Sequence, residues 1–218
     1  HIAQDVSHCN EGHAAFLGLE RIRNLVMRRR LTFAEALEVV RSSSLFTTHT
    51  PVPAGHDAFP EAMIRQYLSH YPEELGIDWA QFVGLGRVNP EDPNEKFSMS
   101  VLACNLSQEV NGVSWLHGEV SKEILGNLWP GYFKNELHIG YVTNGVHFPT
   151  WTATRLRRLY ARYFPEGFEG HEYRISEWKK VYDIPDEDLW RERLVLKEKL
   201  VRMIRRRYCD PSHVRMDS

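Results

Sequence analysis

The sequence predicts an α/β fold that is rich in helices. Apolar residues recur at helical spacing over most of the chain, and two short runs, 45–48 and 139–143, are rich in β-branched and aromatic residues. These two patterns are the main sequence signals for amphipathic helices and for buried strands. Because helices interleaved with short apolar strands are typical of an α/β domain, we expect one here.

The N-terminal region predicts two helices. Residues 12–29 place several apolar side chains near one helical face, and three arginines end the run, where cations suit the helix dipole. Thr32 and Glu35 have the spacing of a capping box, in which the two side chains satisfy free backbone N–H groups. Apolar residues then continue at helical spacing to Val40, so a second helix is expected after Thr32.

The middle of the chain predicts a strand, a loop and further helices. The strand at 45–48 runs into the proline- and glycine-containing loop 49–57, and a helix is expected to begin near Pro60. Residues 87–96 form an acidic loop, and a helix through Val101 and Leu102 follows.

The C-terminal half predicts one more strand and three helices. Residues 107–119 are interpreted as a small-residue turn in a helical neighbourhood, followed by a helix around 117–128. The strand at 139–143 ends at an Asn-Gly turn, and Thr150 is the expected cap of the next helix. After a looser connection at 165–185, acidic residues begin and arginines end a long final helix, as its dipole favours.

Composition is that of an ordinary globular protein. The 218 residues are 42% hydrophobic and 26% charged with a formal net charge of −2, which gives no reason to expect nucleic acid or a membrane surface as partner. Three widely spaced cysteines favour a reducing compartment. The chain starts without methionine and without a signal-peptide pattern, and we interpret it as a piece of a longer polypeptide.

Polar residues cluster in three stretches that are expected to follow strands. The stretches are 8–13, 49–57 and 143–151, and ligands of α/β sheets gather where strands end at their carboxyl side. Three interpretations stay open: a metal site, sugar or phosphate binding, and polar caps with no chemistry. The residues that raise the metal interpretation are His8, His13, His49, His56 and Asp57, but the HExxH pattern is absent.

Four blocks of the sequence together resemble the α-glucan (glycogen, starch, maltodextrin) phosphorylases, in particular their bacterial branch. The blocks read HCNEGHAAFLGLERIR, LFTTHTPVPAGHDAFP, VNGVSWLHGEVSKEI and HIGYVTNGVHFPTW. They occur in the order that the family has and lie within residues 8–151. The part after residue 151 is less diagnostic.

The resemblance implies an architecture and an activity. It implies an incomplete Rossmann-like N-terminal lobe of a GT-B glycosyltransferase at 1–164, with 165–218 leading to a C-terminal lobe. The implied whole enzyme cleaves terminal α-1,4-glucosyl units with inorganic phosphate to give α-glucose 1-phosphate. It is expected to be cytoplasmic and to use pyridoxal phosphate, whose 5′-phosphate supports proton transfer. A homo-oligomeric assembly is left open.

The resemblance also implies substrate-binding residues. Glu11 and His13 match a family block beside the glucosyl unit, and His49 matches a cleft-side loop. Gln108 stands where the family often has a histidine near the glucose 6-hydroxyl, with Asn111 in the same block. A glutamine can hydrogen-bond a hydroxyl but cannot ionise near neutral pH, so no acid/base role is expected of Gln108.

The resemblance implies no catalytic, cofactor-binding or metal-binding residue in this chain. The family's cofactor lysine and phosphate-binding Arg/Lys pair belong to the C-terminal lobe, so residues 1–218 alone are expected to be inactive. Two alternatives stay open: a lobe that binds glucan without catalysis, and a GT-B glucosyltransferase that uses a sugar nucleotide.

Overall fold

The computed structural model describes residues 4–52, 55–166 and 168–209. They divide into two compact units, one up to Asn144 and one from Gly145 onward. The sequence predicts a boundary at 164/165 between lobe segments of a longer protein, and that organisation stays a prediction.

The first unit combines short strands with helices on the same chain. Its strands are β1 (Ser7–Asn10), β2 (Ser44–Thr47), β3 (Ala58–Phe59), β4 (Phe97–Ser98), β5 (Glu109–Gly112) and β6 (Ile139–Tyr141). Its helices are α1 (Phe16–Arg29), α2 (Phe33–Ser42), α3 (Glu61–Leu68), α4 (Tyr71–Leu75), α5 (Trp79–Gly84), α6 (Met99–Asn105) and α7 (Trp115–Leu125). Short 3₁₀ helices occupy Gly12–Ala14 and Gly126–Leu128.

A four-stranded sheet organises this unit. Its order is β1-β2-β5-β6, and every neighbouring pair is parallel. Asn10 lies opposite Thr47, Thr47 opposite Asn111, and Asn111 opposite Gly140, so the carboxyl ends of all four strands meet at one edge. The predicted mixed α/β fold is therefore confirmed. Strands β3 and β4 form a separate antiparallel pair.

The apolar core of the first unit involves the sheet and the helices α1, α2 and α6. Phe46 on β2 and Val110 on β5 are buried together with Leu19, Ile22 and Leu102 of the helices. Burying a side chain of this size contributes about 1.5–3 kcal/mol, so these contacts fix the sheet against its helices.

Two free thiols belong to the same core. Cys9 on β1 and Cys104 on α6 are both buried, and burial raises the pKa of each thiol. Buried thiols of this kind act as small apolar side chains rather than as nucleophiles.

The predicted start of α2, at the capping box of Thr32 and Glu35, is confirmed. The Oγ1 of Thr32 accepts a hydrogen bond from the backbone N of Glu35, and the backbone N of Thr32 donates to the Glu35 carboxylate at 2.8 Å. This reciprocal pair starts α2 as the capping box predicts.

Several predicted elements are corrected by the structure. Residues 109–112, expected in a turn, form strand β5, and the segment 7–10 forms strand β1. The helix expected over 12–29 begins as a 3₁₀ turn, and α1 starts only at Phe16. Thr150 caps no helix, because it lies inside the short helix α8.

Among its described residues, 145–166 and 168–209, the second unit contains three helices. They are α8 (Phe148–Trp151), α9 (Thr154–Tyr160) and α10 (Asp186–Cys209), and a 3₁₀ helix occupies Glu177–Asp183. Its core is aromatic: Phe164 packs edge-on against Phe168, and both contact Trp178. Helix α10 begins with acidic residues and ends with arginines, as its sequence predicts. Across the described ranges, no helix is both long and apolar enough to cross a membrane.

Candidate functional site

A chain of side-chain hydrogen bonds joins β1 to β2 and β2 to β5 near the carboxyl ends of β2 and β5. The hydroxyl of Thr47 on β2 donates to the side-chain oxygen of Asn111 on β5 at 2.8 Å. The Nε2 of His8 on β1 lies 2.7 Å from the same Thr47 hydroxyl. Because a hydroxyl has one proton and that proton goes to Asn111, His8 must donate, so its Nε2 carries a hydrogen. These hydrogen bonds join the strands from which the loops at this edge leave.

Glu11 directly follows β1 in a strained backbone conformation. Its φ is 65° with ψ 161°, a region that is essentially restricted to glycine and costs of order 1–3 kcal/mol for other residues. Three hydrogen bonds hold it there. Its backbone N donates to the Thr47 carbonyl at 2.8 Å, and its Oε1 accepts from the backbone N of His49 at 2.5 Å and from the Thr50 hydroxyl at 3.3 Å. The carboxylate of Glu11 therefore fixes the start of the loop after β2.

The ring of His49 is held by the neighbouring strand end. Its Nε2 lies 2.7 Å from the side-chain oxygen of Asn10, the last residue of β1. An amide oxygen only accepts, so His49 donates from Nε2, and in the neutral ring Nδ1 is left as an acceptor. The side chain is exposed. His49 thus presents a hydrogen-bond acceptor at the carboxyl edge of the sheet.

A polar cavity of about 230 Å³ opens beside Glu11. Its lining is formed by Glu11, Gly12, His13, Thr50, Gly55, His56, Asp57 and Ser100. His13 lies in the 3₁₀ turn after Glu11 and is exposed. Carboxylates, imidazoles and hydroxyls together offer both donors and acceptors, which suits a ligand rich in hydroxyl groups.

His56 also lines this cavity, and its surroundings disfavour the charged form of its ring. Its Nδ1 lies 2.6 Å from the hydroxyl of Ser100. Burial lowers the pKa of His56, and the nearby His117 lowers it further, although the carboxylates of Glu11 and Asp57 oppose the shift. Burial is the largest of these effects. His56 is therefore suited to hydrogen bonding rather than to holding a positive charge near neutral pH.

His117 supports the turn between β5 and α7. Its Nδ1 accepts from the backbone N of Val113 at 3.2 Å, and its own backbone N donates to the hydroxyl of Ser114, the N-cap of α7. Gly112 is required here, because a Cβ at that position would lie 2.7 Å from the backbone N of Gly118. The turn after β5 is thus tightly packed.

The structure brings four of the five predicted substrate-binding residues to the carboxyl edge. Glu11 and His13 line the cavity, and His49 lies beside them. Asn111 is buried, and both of its side-chain groups are used, since Oδ1 accepts from Thr47 and Nδ2 donates to the Gly112 carbonyl at 3.2 Å. Asn111 therefore stabilises the carboxyl edge through its contacts with Thr47 and Gly112.

Gln108 is separated from the other four. It precedes β5, and its backbone N donates to the carbonyls of Arg41 and Ser44 where β2 begins. Because β2 and β5 are parallel, Gln108 lies at the amino edge of the sheet, opposite to the candidate site. Its side chain is exposed there.

Three residues with contacts in the site are not singled out by the sequence analysis, although Asn10 lies within the polar stretch 8–13. They are Asn10, which holds the His49 ring, Thr47, which joins the strands, and Ser100, which contacts His56. Asn10 and Thr47 could have been found once β1 and β2 were both recognised as strands, since both are terminal residues of parallel neighbours. Ser100 carries no local signal, because α6 brings it to the cavity from far along the chain.

The site does not fit a metal ion or a Schiff-base cofactor. Within the described part of the chain, no group of three or more His, Cys, Asp or Glu side chains is placed to hold a metal. The described lining of the cavity contains no lysine, so it offers no amine to the aldehyde of pyridoxal phosphate. No step of the chemistry is assigned to that cofactor at these residues.

Comparison with known proteins places these features in a family. The sequence profile described as carbohydrate phosphorylase matches residues 3–209. The chain is 41% identical to a glycogen phosphorylase of Mycobacterium tuberculosis over 216 residues, which cover 93% of this chain and 24% of that protein. It is 40% identical over 202 residues to a maltodextrin phosphorylase of Thermococcus litoralis, covering 93% and 23% of the two chains. A glycogen phosphorylase of Aquifex aeolicus is 42% identical over 202 residues, covering 92% and 28%. The chain thus spans about a quarter of the length of these relatives.

Proposed function

This chain belongs to the carbohydrate phosphorylase family, and on that premise we propose that it forms one wall of the glucosyl pocket of an α-1,4-glucan phosphorylase. The proposed whole enzyme cleaves terminal α-1,4-glucosyl units with inorganic phosphate and releases α-glucose 1-phosphate with retained configuration. The observation that carries the proposal is identity of about 40% to glycogen and maltodextrin phosphorylases over nearly the whole chain.

The carboxyl edge of the sheet is the proposed sugar-binding surface. Glu11 uses one carboxylate oxygen to hold the loop after β2, and its other oxygen is the proposed partner of a glucosyl hydroxyl. His13 and the Nδ1 of His49 are proposed as further hydroxyl partners. Asn111 supports this surface, and Gln108 is left out because it lies at the opposite edge.

In the proposed reaction, Glu11, His13 and His49 bind the sugar and orient it. The carboxylate and imidazole acceptors of these residues can hold the glucosyl ring in one orientation while its anomeric bond reacts. Positioning of this kind supplies a large part of enzymatic rate enhancement. The hydrogen bonds from β1 to β2 and β5 reduce the movement of these acceptors during the reaction.

The rest of the reaction is assigned to parts of the whole enzyme beyond this chain. We propose that residues 1–164 belong to a Rossmann-like N-terminal lobe of a GT-B arrangement and that 165–218 lead into the C-terminal lobe. Pyridoxal phosphate is proposed to bind there, where its phosphate group supplies proton transfer to the substrate phosphate. The proposed partners are α-1,4-glucan and inorganic phosphate, and the proposed location is the cytoplasm.

The test is the reaction specificity of the whole protein that contains this chain. We expect glucose 1-phosphate from a maltooligosaccharide and inorganic phosphate when pyridoxal phosphate is bound, and we expect none from residues 1–218 alone. Glucosyl transfer from a sugar nucleotide, without phosphorolysis, would contradict the proposal and indicate a different glucosyltransferase. Glucan binding without turnover by the whole protein would contradict it in favour of a binding lobe.

A further inference from the structure

We propose that Asn10 is a positioning residue, which holds the His49 imidazole so that its Nδ1 accepts a hydrogen bond from a glucosyl hydroxyl. This inference rests on the proposed function, because it takes a sugar as the ligand of His49. It concerns a residue that no part of the resemblance assigns.

The topology of the sheet brings these two residues together. Asn10 ends β1 and lies opposite Thr47 of β2, and His49 follows Thr47 by two residues. The ring therefore reaches sideways to the end of the neighbouring strand, where its Nε2 lies 2.7 Å from the Asn10 side-chain oxygen. This is the single hydrogen bond of the His49 ring within the described residues.

Asn10 and Glu11 together hold both ends of the histidine. The carboxylate of Glu11 accepts from the backbone N of His49, and the amide of Asn10 accepts from its ring. An exposed side chain without such support would populate several rotamers, and ordering it on binding costs free energy. Asn10 and Glu11, which are consecutive at the end of β1, thus order the His49 side chain before a ligand binds, and this reduces the free energy that ordering costs on binding.

The chemical type of Asn10 determines which nitrogen faces the ligand. An amide oxygen is an acceptor that carries no charge, so in the neutral ring it selects the tautomer of His49 that is protonated at Nε2. A carboxylate in its place would stabilise the imidazolium form, in which Nδ1 is a donor. With an uncharged amide at position 10, the neutral His49 ring has its acceptor at Nδ1.

The test is a double-mutant cycle on phosphorolysis by the whole protein. The variants are Asn10→Leu, His49→Leu and the two combined, with Asn94→Leu as a matched control that removes an exposed amide from the loop at 87–96. We expect Asn10→Leu to lower kcat/KM by about 10- to 100-fold, since small misplacements of an orienting group have effects of this size. We expect no further loss when Asn10→Leu is added to His49→Leu.

The results of this cycle distinguish failure of the Asn10 inference from failure of the proposed function. If His49→Leu lowers kcat/KM but Asn10→Leu does not, or if the two losses multiply, Asn10 does not act through His49 and the inference is overturned. If His49→Leu itself leaves phosphorolysis unchanged, both the sugar contact and its positioning are overturned. Thermal melting of each variant, with Asn10→Ala as a second substitution if leucine unfolds the protein, separates these effects from misfolding.

Discussion

Glu11 combines a strained backbone with a set of contacts that keep it in place. A φ of 65° is unfavourable for any residue with a Cβ, yet here the backbone N and one carboxylate oxygen are both engaged by β2 and its following loop. Strained residues of this kind concentrate at functional sites, where the surrounding structure fixes them. The observation supports a function for Glu11 that the resemblance alone only implies.

The strain at Glu11 can be measured by comparing two substitutions. Both Glu11→Gly and Glu11→Ala remove the carboxylate contacts, but only glycine adopts this φ without cost. We expect Glu11→Gly to have the larger free energy of unfolding, by about 1 kcal/mol or more. Urea unfolding of the two variants gives this difference, and equal stabilities, or a more stable alanine variant, would show that position 11 is not strained.

The sequence places some of the predicted site residues together correctly and others not, and the difference has a physical reason. Glu11 and His13 are found from one short motif, and both line the same cavity. Gln108 and Asn111 come from one block as well, but the strand between them carries the two residues to opposite edges of the sheet. Without recognition of that strand, spacing alone cannot show this separation.

Strands β1 and β5 show which elements local pattern cannot predict. Both have only four residues, and β5 contains the polar Glu109 and Asn111 and ends in Gly112. Such segments have little strand preference of their own. They become strands because β2 pairs with both of them, which depends on residues far along the chain. By contrast, the start of α2 is decided by contacts within four residues, and it is predicted correctly.

Helix α3 is attached to its neighbours through Glu61. The Glu61 carboxylate accepts hydrogen bonds from Trp79 Nε1 at 2.7 Å, from Arg65 at 2.9 Å and from the buried Arg87 at 2.8 Å. These contacts, with the Trp79 hydrogen bond as the largest cause, lower the pKa of Glu61 from 4.5 to about 2.

The pH dependence of stability follows from the sign of this shift. Because the pKa of Glu61 is lower in the folded state, its contribution is complete above pH 4.5 and is lost as the pH falls toward 2. We expect Glu61→Gln to reduce the fall in unfolding free energy over this range, with Glu91→Gln in the loop at 87–96 as an unaffected control. Urea unfolding at a series of pH values tests this, and an unchanged pH dependence in Glu61→Gln would contradict it.

Large apolar side chains are exposed in both units. In the first unit Trp115, Leu116 and Phe133 are 62%, 63% and 74% exposed, and in the second Trp151 is 77% exposed. Soluble monomers rarely expose so many large apolar side chains without a partner surface. Apolar residues of α10 in the second unit are exposed as well, among them Trp190, Leu194 and Met203.

We expect the polypeptide of residues 1–218, produced alone, to associate as its concentration rises. The reason is burial of this exposed apolar surface between copies. Sedimentation velocity over a range of concentrations measures the effect, and replacing Trp115 and Leu116 with serine should reduce it. A single monomeric species at every concentration would contradict this expectation.

If the carboxyl edge of the sheet binds the glucosyl unit of an α-glucan, as proposed, then replacing the exposed His13 should weaken the reaction. His13 is exposed at the cavity, so His13→Ala removes a proposed hydroxyl partner with little effect on the core. His138→Ala is the matched control, because His138 is also exposed but immediately precedes β6 at the amino edge.

The decisive measurement is kcat/KM for phosphorolysis of a maltooligosaccharide by the whole protein carrying each substitution. We predict a loss of about tenfold or more for His13→Ala, as expected for a hydrogen bond of about 1.4 kcal/mol in the transition state, and an unchanged value for His138→Ala. Equal kcat/KM in the wild type and in both variants would contradict the claim and leave the polar edge of the sheet a structural feature.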